Sequence, residues 1–393
     1  MLQRPPAVLV QRHGDGCFRR LRRCCQLRCY TAAPIARIAS STARRNIPWT
    51  ANFSRTPRST HSLSILSSLP AMLVPPVVLI GLTVTLWLYK CTMMVIFQNK
   101  IIYMPSIPPF SRQEKIATYE KVCWPIVWEE QRIQSLDGVE IALCVGRNVA
   151  MTGEKEEKKV KGPEGEVVIL YFQGNGSSIP PRLPQLSAVL KALDERPYIL
   201  IAVSYRGFWT SRGRASQRGI ERDAVAALNW ARKTYLHPNT RLVLWGQSIG
   251  AGVATFLAAS HHRQHDCLRR SEPPALILET PFVSVRSMLL ALYPQRWLPY
   301  RYLGPFLRNW WDSEEALRSI SDTRPNGTGR RKVLVVSAEK DELVPSEQAD
   351  AIEKLCIEGG MDVSRTRVRG ALHTEATFRG DGRNAVASFL KRL

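Results

Sequence analysis

The 393-residue chain lacks the features of a small secreted protein or of a repetitive one. Nine cysteines are too few and too irregularly spaced for a disulfide-dense scaffold, and no two have the Cys-x-x-Cys spacing of a zinc ribbon or redox site. With 24 glycines and 26 prolines, the composition also excludes a collagen-like or low-complexity polymer. Apolar residues make up 45% of the chain, which is enough for a sizeable core.

Acidic residues are scarce in the first 70 residues, which contain twelve arginines, no lysine and only Asp15. This segment carries half of the formal net charge of +22 and has no long apolar period. We therefore expect residues 1–70 to be a targeting or disordered arm. The alternative is that they are an artefact of the chosen start codon and that the protein begins at Met72. No nucleic-acid-binding motif accompanies the charge, so no nucleic-acid partner is expected. Four arm cysteines are interpreted as incidental thiols, with lipidation or metal binding as alternatives: Cys17, Cys24, Cys25 and Cys29.

A long apolar stretch covers residues 71–97 and contains one charge, at Lys90. A bilayer-spanning helix needs ~20 such residues, and Trp87 and Tyr89 suit a membrane interface. We predict a single-pass anchor over residues 71–97, with the lipid bilayer as a partner. A buried core helix and the apolar region of a signal peptide are the alternatives.

The charges that flank the anchor bear on its orientation and on the compartment. The arginine arm places the amino terminus in the cytosol and favours a domain in the endoplasmic reticulum lumen, with a mitochondrial address as the alternative. A start at Met72 would reverse this argument. The sequon at Asn326 could report a lumenal domain through glycosylation.

Beyond residue 105, short strand-like runs alternate with helical ones. The strand-like runs cover 126–134, 139–145, 166–172, 198–204, 241–245, 275–279, 332–337 and 363–369. Helical patterns lie near 182–195, 217–235, 248–260, 346–358 and 383–392. Such alternation predicts an α/β domain over residues 110–393, with a mostly parallel eight-stranded sheet and helices on both faces.

The strongest chemical motif is Gly-x-Ser-x-Gly, formed by Gly246, Ser248 and Gly250. It directly follows the strand RLVLW and precedes the helical run AGVATFLAAS. At such a junction the motif is a nucleophile elbow, which exposes a serine hydroxyl over the start of a helix. The alternative is a structural turn. We predict Ser248 as a catalytic nucleophile.

A serine nucleophile needs a base and an acid that orients the base. His373 lies in the loop between the last strand and the last helix and is the predicted base. Asp341 is the predicted acid because it follows the end of the seventh strand by a few residues; Glu339 and Glu342 are expected to be solvated loop charges. No metal is expected, since the histidines at 261, 262 and 265 lack further ligands.

The transition state also requires donors for the developing oxyanion. The amide of Ile249 follows the nucleophile, and the glycine-rich turn after the third strand supplies a second amide, for which we predict Asn175. An ordinary glycine-rich turn is the alternative for this second segment.

These residues resemble the α/β-hydrolase superfamily, and within it a membrane-anchored group with fungal bud-emergence-type proteins, depalmitoylases and lysophospholipases. The resemblance covers roughly residues 95–393 and rests on YFQGNGSS, SYRGFWTSRGRAS, WGQSIGAGVA, LILETPF, EKDELVP and ALHT, in this order. It supports Ser248, Asp341 and His373 as the triad. The chain departs from the group at Gln173, where histidine is usual, and at Ser337, where a His-Gly pair is common.

An aromatic, proline-broken insert over residues 283–323 lies between strands six and seven, where this fold usually carries a lid. Its rings either cover an acyl pocket or pack the insert onto the domain. We expect a serine hydrolase that cleaves acyl esters or thioesters, including acylated proteins and lysophospholipids, without a cofactor. A serine aminopeptidase and a catalytically silent membrane interaction protein are the alternatives. The sequence leaves the oligomeric state open.

Overall fold

The computed structural model describes residues 70–149, 165–193, 196–237, 239–265, 273–320 and 330–393. The arginine arm, its four cysteines and the sequon at Asn326 lie outside these ranges.

Eight strands form one sheet, as the sequence predicts. Their order across the sheet is β1-β2-β4-β3-β5-β6-β7-β8; β2 pairs antiparallel with both β1 and β4, and all other pairs are parallel. The strands are β1 Ile126–Gln134, β2 Glu140–Asn148, β3 Val167–Phe172, β4 Tyr198–Ser204, β5 Arg241–Gln247, β6 Ala275–Glu279, β7 Lys332–Ala338 and β8 Asp362–Val368. Each lies within a few residues of its predicted position.

The central strands are buried on both faces because helices cover the sheet on both sides. Alternate residues of β3 belong to different core clusters: Val168 and Leu170 face one, and Ile169 and Tyr171 face the other. This arrangement explains why these strands are continuously apolar in the sequence.

The helices are α1 Val74–Ile96, α2 Gln98–Tyr103, α3 Glu120–Cys123, α4 Leu183–Leu190, α5 Gln217–Thr234, α6 Ile249–His265, α7 Val285–Leu292, α8 Ser313–Ser319, α9 Ser346–Glu358 and α10 Gly380–Lys391.

The apolar stretch near residue 80 is helical from Ala71 to Ile96, through a short 3-10 turn and then α1. Among the described residues it is the one helix long and apolar enough to cross a membrane, with a mean hydropathy of 2.1. No residue in the most apolar 18-residue window of this helix is buried, unlike in a core helix of a soluble protein.

The insert between β6 and β7 contains α7, two 3-10 turns and α8. The packing interpretation of its aromatic residues holds for Trp311 but not for every ring. Trp311 is buried and packs on α6, where a Cβ added at Gly252 would lie 3.1 Å from the Trp311 Cβ. Trp297 and Tyr302 are exposed.

Candidate active site

Ser248 forms the junction between β5 and α6. It adopts a left-handed backbone conformation with φ of 53°, which is strained for a residue with a side chain. Its amide donates a hydrogen bond of 2.8 Å to the Glu279 carbonyl oxygen on the neighbouring strand β6. Ser248 is 9% exposed, at the carboxyl end of the sheet. A sharp strand-to-helix turn of this kind is the geometry of a nucleophile elbow.

The two glycines of the motif are required by close backbone contacts. A Cβ at Gly246 would lie 2.1 Å from the Gly250 carbonyl oxygen, and a Cβ at Gly250 would lie 2.1 Å from the carbonyl oxygen of Phe172. Backbone atoms within strands and helices cannot move aside as a flexible side chain can. Steric contacts within the elbow and with the adjoining end of β3 therefore explain why both positions are glycine.

His373 and Asp341 meet at the carboxyl ends of β7 and β8. The Asp341 Oδ1 and Oδ2 atoms lie 2.9 and 2.8 Å from the His373 Nδ1. Asp341 is held in place because its Oδ1 also accepts the amides of Leu343 and Val344, at 3.0 and 2.7 Å. An imidazole whose Nδ1 faces a fixed carboxylate keeps its Nε2 for proton transfer.

Glu339 and Glu342 are exposed loop residues, as expected, and each also accepts a backbone hydrogen bond. Glu342 Oε2 accepts the backbone amide of His373 at 2.9 Å, and Glu339 Oε2 accepts the amide of Gly370 at 2.8 Å. Each carboxylate thus bonds to the backbone of the loop that carries the histidine. Neither takes the place of Asp341 at the imidazole nitrogen Nδ1.

The turn after β3 lies directly against the nucleophile. A Cβ at Gly174 would be 3.5 Å from the Ser248 Cβ, which places the glycine-rich segment beside the serine. The turn is fixed from the other side, because the Tyr205 hydroxyl donates to the Gln173 carbonyl at 2.9 Å and the Gly176 amide donates to the Tyr103 carbonyl at 2.8 Å. Asn175 lies between these two fixed points.

The comparisons with known proteins begin with sequence. Protein bem46 of Schizosaccharomyces pombe is 31% identical over 196 residues, which cover 50% of this chain and 58% of that protein. The Alpha/beta hydrolase domain-containing protein WAV2 of Arabidopsis thaliana is 28% identical over 261 residues, 64% of this chain and 73% of the relative. Lysophosphatidylserine lipase ABHD12 of Danio rerio is 36% identical over 181 residues, 45% of this chain and 44% of the relative. This chain thus spans about half of bem46 and of ABHD12. No protein-family model matches it.

A solved α/β hydrolase from Vibrio vulnificus has the same fold. The two structures superpose with a TM-score of 0.52 at 15% identity, over 75% of this chain and 91% of the other. The chain therefore has the α/β-hydrolase fold, and its sequence is similar to that of proteins in this superfamily. The resemblance to the group that includes the fungal bud-emergence-type proteins is confirmed by the same comparisons.

One feature near Ser248 was not predicted from the sequence: a buried polar cluster centred on Glu279. Its carboxylate accepts hydrogen bonds from the Trp245 Nε1 and the Gln247 Nε2, both at 3.1 Å, and from the Thr377 hydroxyl at 2.8 Å. Burial raises the pKa of Glu279, while these donors and the nearby Arg182 oppose the rise. The sequence signal was a glutamate that ends the otherwise apolar strand ALILE.

The cluster connects the segments that carry the predicted site residues. Arg182, at the start of α4, donates to the Gln247 Oε1. Thr377 belongs to the loop that contains His373, and Gln247 directly precedes Ser248.

Within the described residues, no group of three His, Cys, Asp or Glu side chains is arranged to hold a metal ion.

Proposed function

We propose that the protein is a membrane-anchored serine hydrolase that cleaves acyl esters or thioesters through an acyl-enzyme. The observation that carries the proposal is the bonded pair of Asp341 and His373, at the same sheet edge as the strained elbow of Ser248. These three side chains come from the ends of β5, β7 and β8, in the chain order of the α/β-hydrolase triad.

In the proposed reaction, the Ser248 Oγ attacks the acyl carbonyl carbon while the His373 Nε2 accepts the hydroxyl proton. Asp341 holds the imidazole through Nδ1 and stabilises the imidazolium that forms. Collapse of the tetrahedral intermediate breaks the ester or thioester bond, and the imidazolium returns its proton to the leaving alcohol or thiol. Water then attacks the acyl-enzyme by the same route and releases the carboxylic acid.

The proposed oxyanion hole consists of the amides of Ile249 and Asn175. Two observations support it. Gly174, the residue before Asn175, lies against the Ser248 Cβ, and Ile249 is the first residue of α6, where amides have no acceptor within the helix. Removal of one such donor typically lowers the rate ~10²–10³-fold.

The proposed substrates have acyl chains of medium to long length and include lysophospholipids and acylated proteins. Support comes from the relative named lysophosphatidylserine lipase and from the aromatic insert between β6 and β7. The proposed anchor is the helix Ala71–Ile96, because its apolar surface is exposed along its most apolar window. We propose the endoplasmic reticulum as the location, with the mitochondrion as the alternative.

The decisive experiment is labelling with a fluorophosphonate probe. The wild-type protein should be labelled, and Ser248→Ala should not be. Ser319→Ala, which changes an exposed serine in α8, is the matched control and should be labelled like the wild type. Equal labelling of the wild type and Ser248→Ala would refute the proposed nucleophile.

A second measurement addresses the substrate class. In a series of p-nitrophenyl esters, kcat/KM should rise from acetyl to medium or long acyl chains. A steady decline with chain length would contradict the proposed acyl specificity while leaving the serine hydrolase chemistry intact.

A further inference from the structure

The solvent exposure of the apolar helix changes along its length. From residue 75 to residue 90 nearly every side chain is exposed, whereas Cys91, Met93, Met94 and Val95 are half-buried. Residues 72–89 alone would span about 27 Å at 1.5 Å per residue, close to the thickness of a bilayer core. The end of the helix after Lys90 therefore packs on protein rather than on lipid.

The protein that covers this end of the helix is the insert, through the segment 294–308, here called the insert strap. The Trp87 and Trp297 rings lie 5.8 Å apart, and the Lys90 Nζ lies 4.7 Å from the centre of the Tyr300 ring. Farther along α1, Arg308 donates to the carbonyl oxygens of Val95 and Ile96, at 2.7 and 3.2 Å. The insert strap thus runs beside the helix from Trp87 to its end.

The contacts with Trp87 and Lys90 set the depth of the insert strap. Tryptophan and lysine at the end of an apolar span are the residues that mark a membrane interface. Trp297 and Tyr300 lie at the same level, since they touch these two side chains. The insert strap is therefore at headgroup level wherever residues 72–89 fill the bilayer core.

The composition of the insert strap also suits a membrane surface. Between residues 294 and 308 the sequence has three arginines and no aspartate, glutamate or lysine. Trp297, Tyr302 and Phe306 are exposed, and Arg296 is exposed beside Trp297. Exposed aromatic rings combined with arginine favour an interface that carries negative charge.

We infer that the insert strap is a second membrane contact, in which Trp297 and its neighbours enter the headgroup region and Arg296 and Arg301 bind anionic lipid. This inference rests on the anchor in the proposed function, but not on the hydrolase chemistry. The insert would then not only pack onto the domain but also face the lipid that contains the proposed substrates.

Quenching by brominated lipid tests the contact in the full-length protein reconstituted into vesicles. Trp297→Phe should remove part of the tryptophan emission that brominated phosphatidylcholine quenches. The matched control is Trp124→Phe, because Trp124 is exposed to a similar extent, 65% against 67% for Trp297, but lies beside the edge strand β1. If both variants are quenched like the wild type, the membrane contact of Trp297 is wrong.

The choice of lipid tests the arginines. Brominated phosphatidylserine should quench the wild type severalfold more effectively than brominated phosphatidylcholine at the same mole fraction. Arg296→Gln/Arg301→Gln should lose this preference, whereas Arg212→Gln, which changes an arginine with a 77% exposed side chain elsewhere on the domain, should keep it. Equal quenching of the wild type by both lipids would overturn the anionic preference.

Two controls distinguish this inference from the proposed function. Ser248→Ala should be quenched like the wild type, since the contact does not depend on the chemistry. Release of the wild-type chain from membranes by carbonate would refute the anchor itself. Retention in carbonate without quenching of Trp297 would refute only the lipid contact of the insert strap.

Discussion

The nucleophile elbow and the histidine loop, residues 369–379, lie at the same sheet edge but are held by different means. The elbow is fixed by backbone sterics, through Gly246, Ser248, Gly250 and the adjoining end of β3. The histidine loop is fixed mainly by carboxylates from other segments: Glu339 and Glu342 bond its amides and Glu279 accepts from Thr377. A site held by local sterics is visible as a motif, whereas one held by distant side chains is not.

The largest effect is expected for Gly250→Ala. The added methyl group would lie 2.1 Å from the Phe172 carbonyl oxygen, and neither backbone segment can yield without displacing β3 or α6. We expect the free energy of unfolding to fall by about 3 kcal/mol or more, with loss of probe labelling. Thermal unfolding of the purified full-length protein measures this change.

Gly380→Ala, at the residue that follows the histidine loop and begins α10, is the control. A Cβ there would meet only the Arg383 Nη2 at 3.9 Å, so the unfolding temperature and labelling should stay near those of the wild type. If Gly250→Ala behaved like Gly380→Ala, backbone sterics would not be what holds the elbow.

Asp341→Asn should have the next largest effect, on catalysis rather than on folding. The asparagine amide keeps one acceptor oxygen, and its NH2 group is a donor. When this donor faces Nδ1, the imidazole is held in the wrong tautomer, so kcat should fall roughly 10⁴-fold. Ester hydrolysis at saturating substrate measures the loss.

Glu342→Gln separates the catalytic acid from a carboxylate that only shapes the loop. Glu342 accepts the His373 amide, and a glutamine oxygen can still accept it, so a fall in kcat of at most about tenfold is expected. A larger loss in Glu342→Gln than in Asp341→Asn would transfer the role of the acid to Glu342.

Much of the fold was predictable because its signals are local. The apolar strands, the turn motif of Ser248 and the order of the strands and helices all follow from residues close together in the chain. The pairing of Asp341 with His373 was also predictable, since each follows the end of one of two successive strands. Its geometry is present in the structure, while its catalytic role stays a prediction.

The contacts that the sequence did not reveal join residues far apart in the chain. Glu279 meets Gln247 because β5 and β6 pair in parallel with these two residues opposite each other, and a register of this kind is not encoded in either strand alone. Gly382 is similar: a Cβ there would lie 1.9 Å from the Ala376 carbonyl oxygen in the histidine loop, yet no motif marks it.

Glu279→Gln tests whether the buried cluster supports the histidine loop. The glutamine side chain keeps the size but turns one acceptor into a donor, which then faces donors from Trp245 or from Thr377 and Gln247. We expect a loss of about 1–3 kcal/mol in the free energy of unfolding, together with a fall in kcat and little change in KM. An unchanged kcat would show that the cluster does not position the site.

The smallest effect is expected for Thr377→Val, which removes one hydroxyl at nearly constant volume. That hydroxyl donates to Glu279 and accepts from the Gln185 Nε2. Its loss removes one of the three donors to the Glu279 carboxylate and takes the acceptor from the buried Gln185 Nε2, which should cost about 1–2 kcal/mol of stability. A double-mutant cycle with Glu279→Gln locates the effect. Because the two side chains touch, the loss of stability in the double mutant should differ from the sum of the two single losses by about 0.5 kcal/mol or more. If the changes are additive, Thr377 does not act through Glu279, and the histidine loop is held by Glu339, Glu342 and the close packing of Gly382 instead.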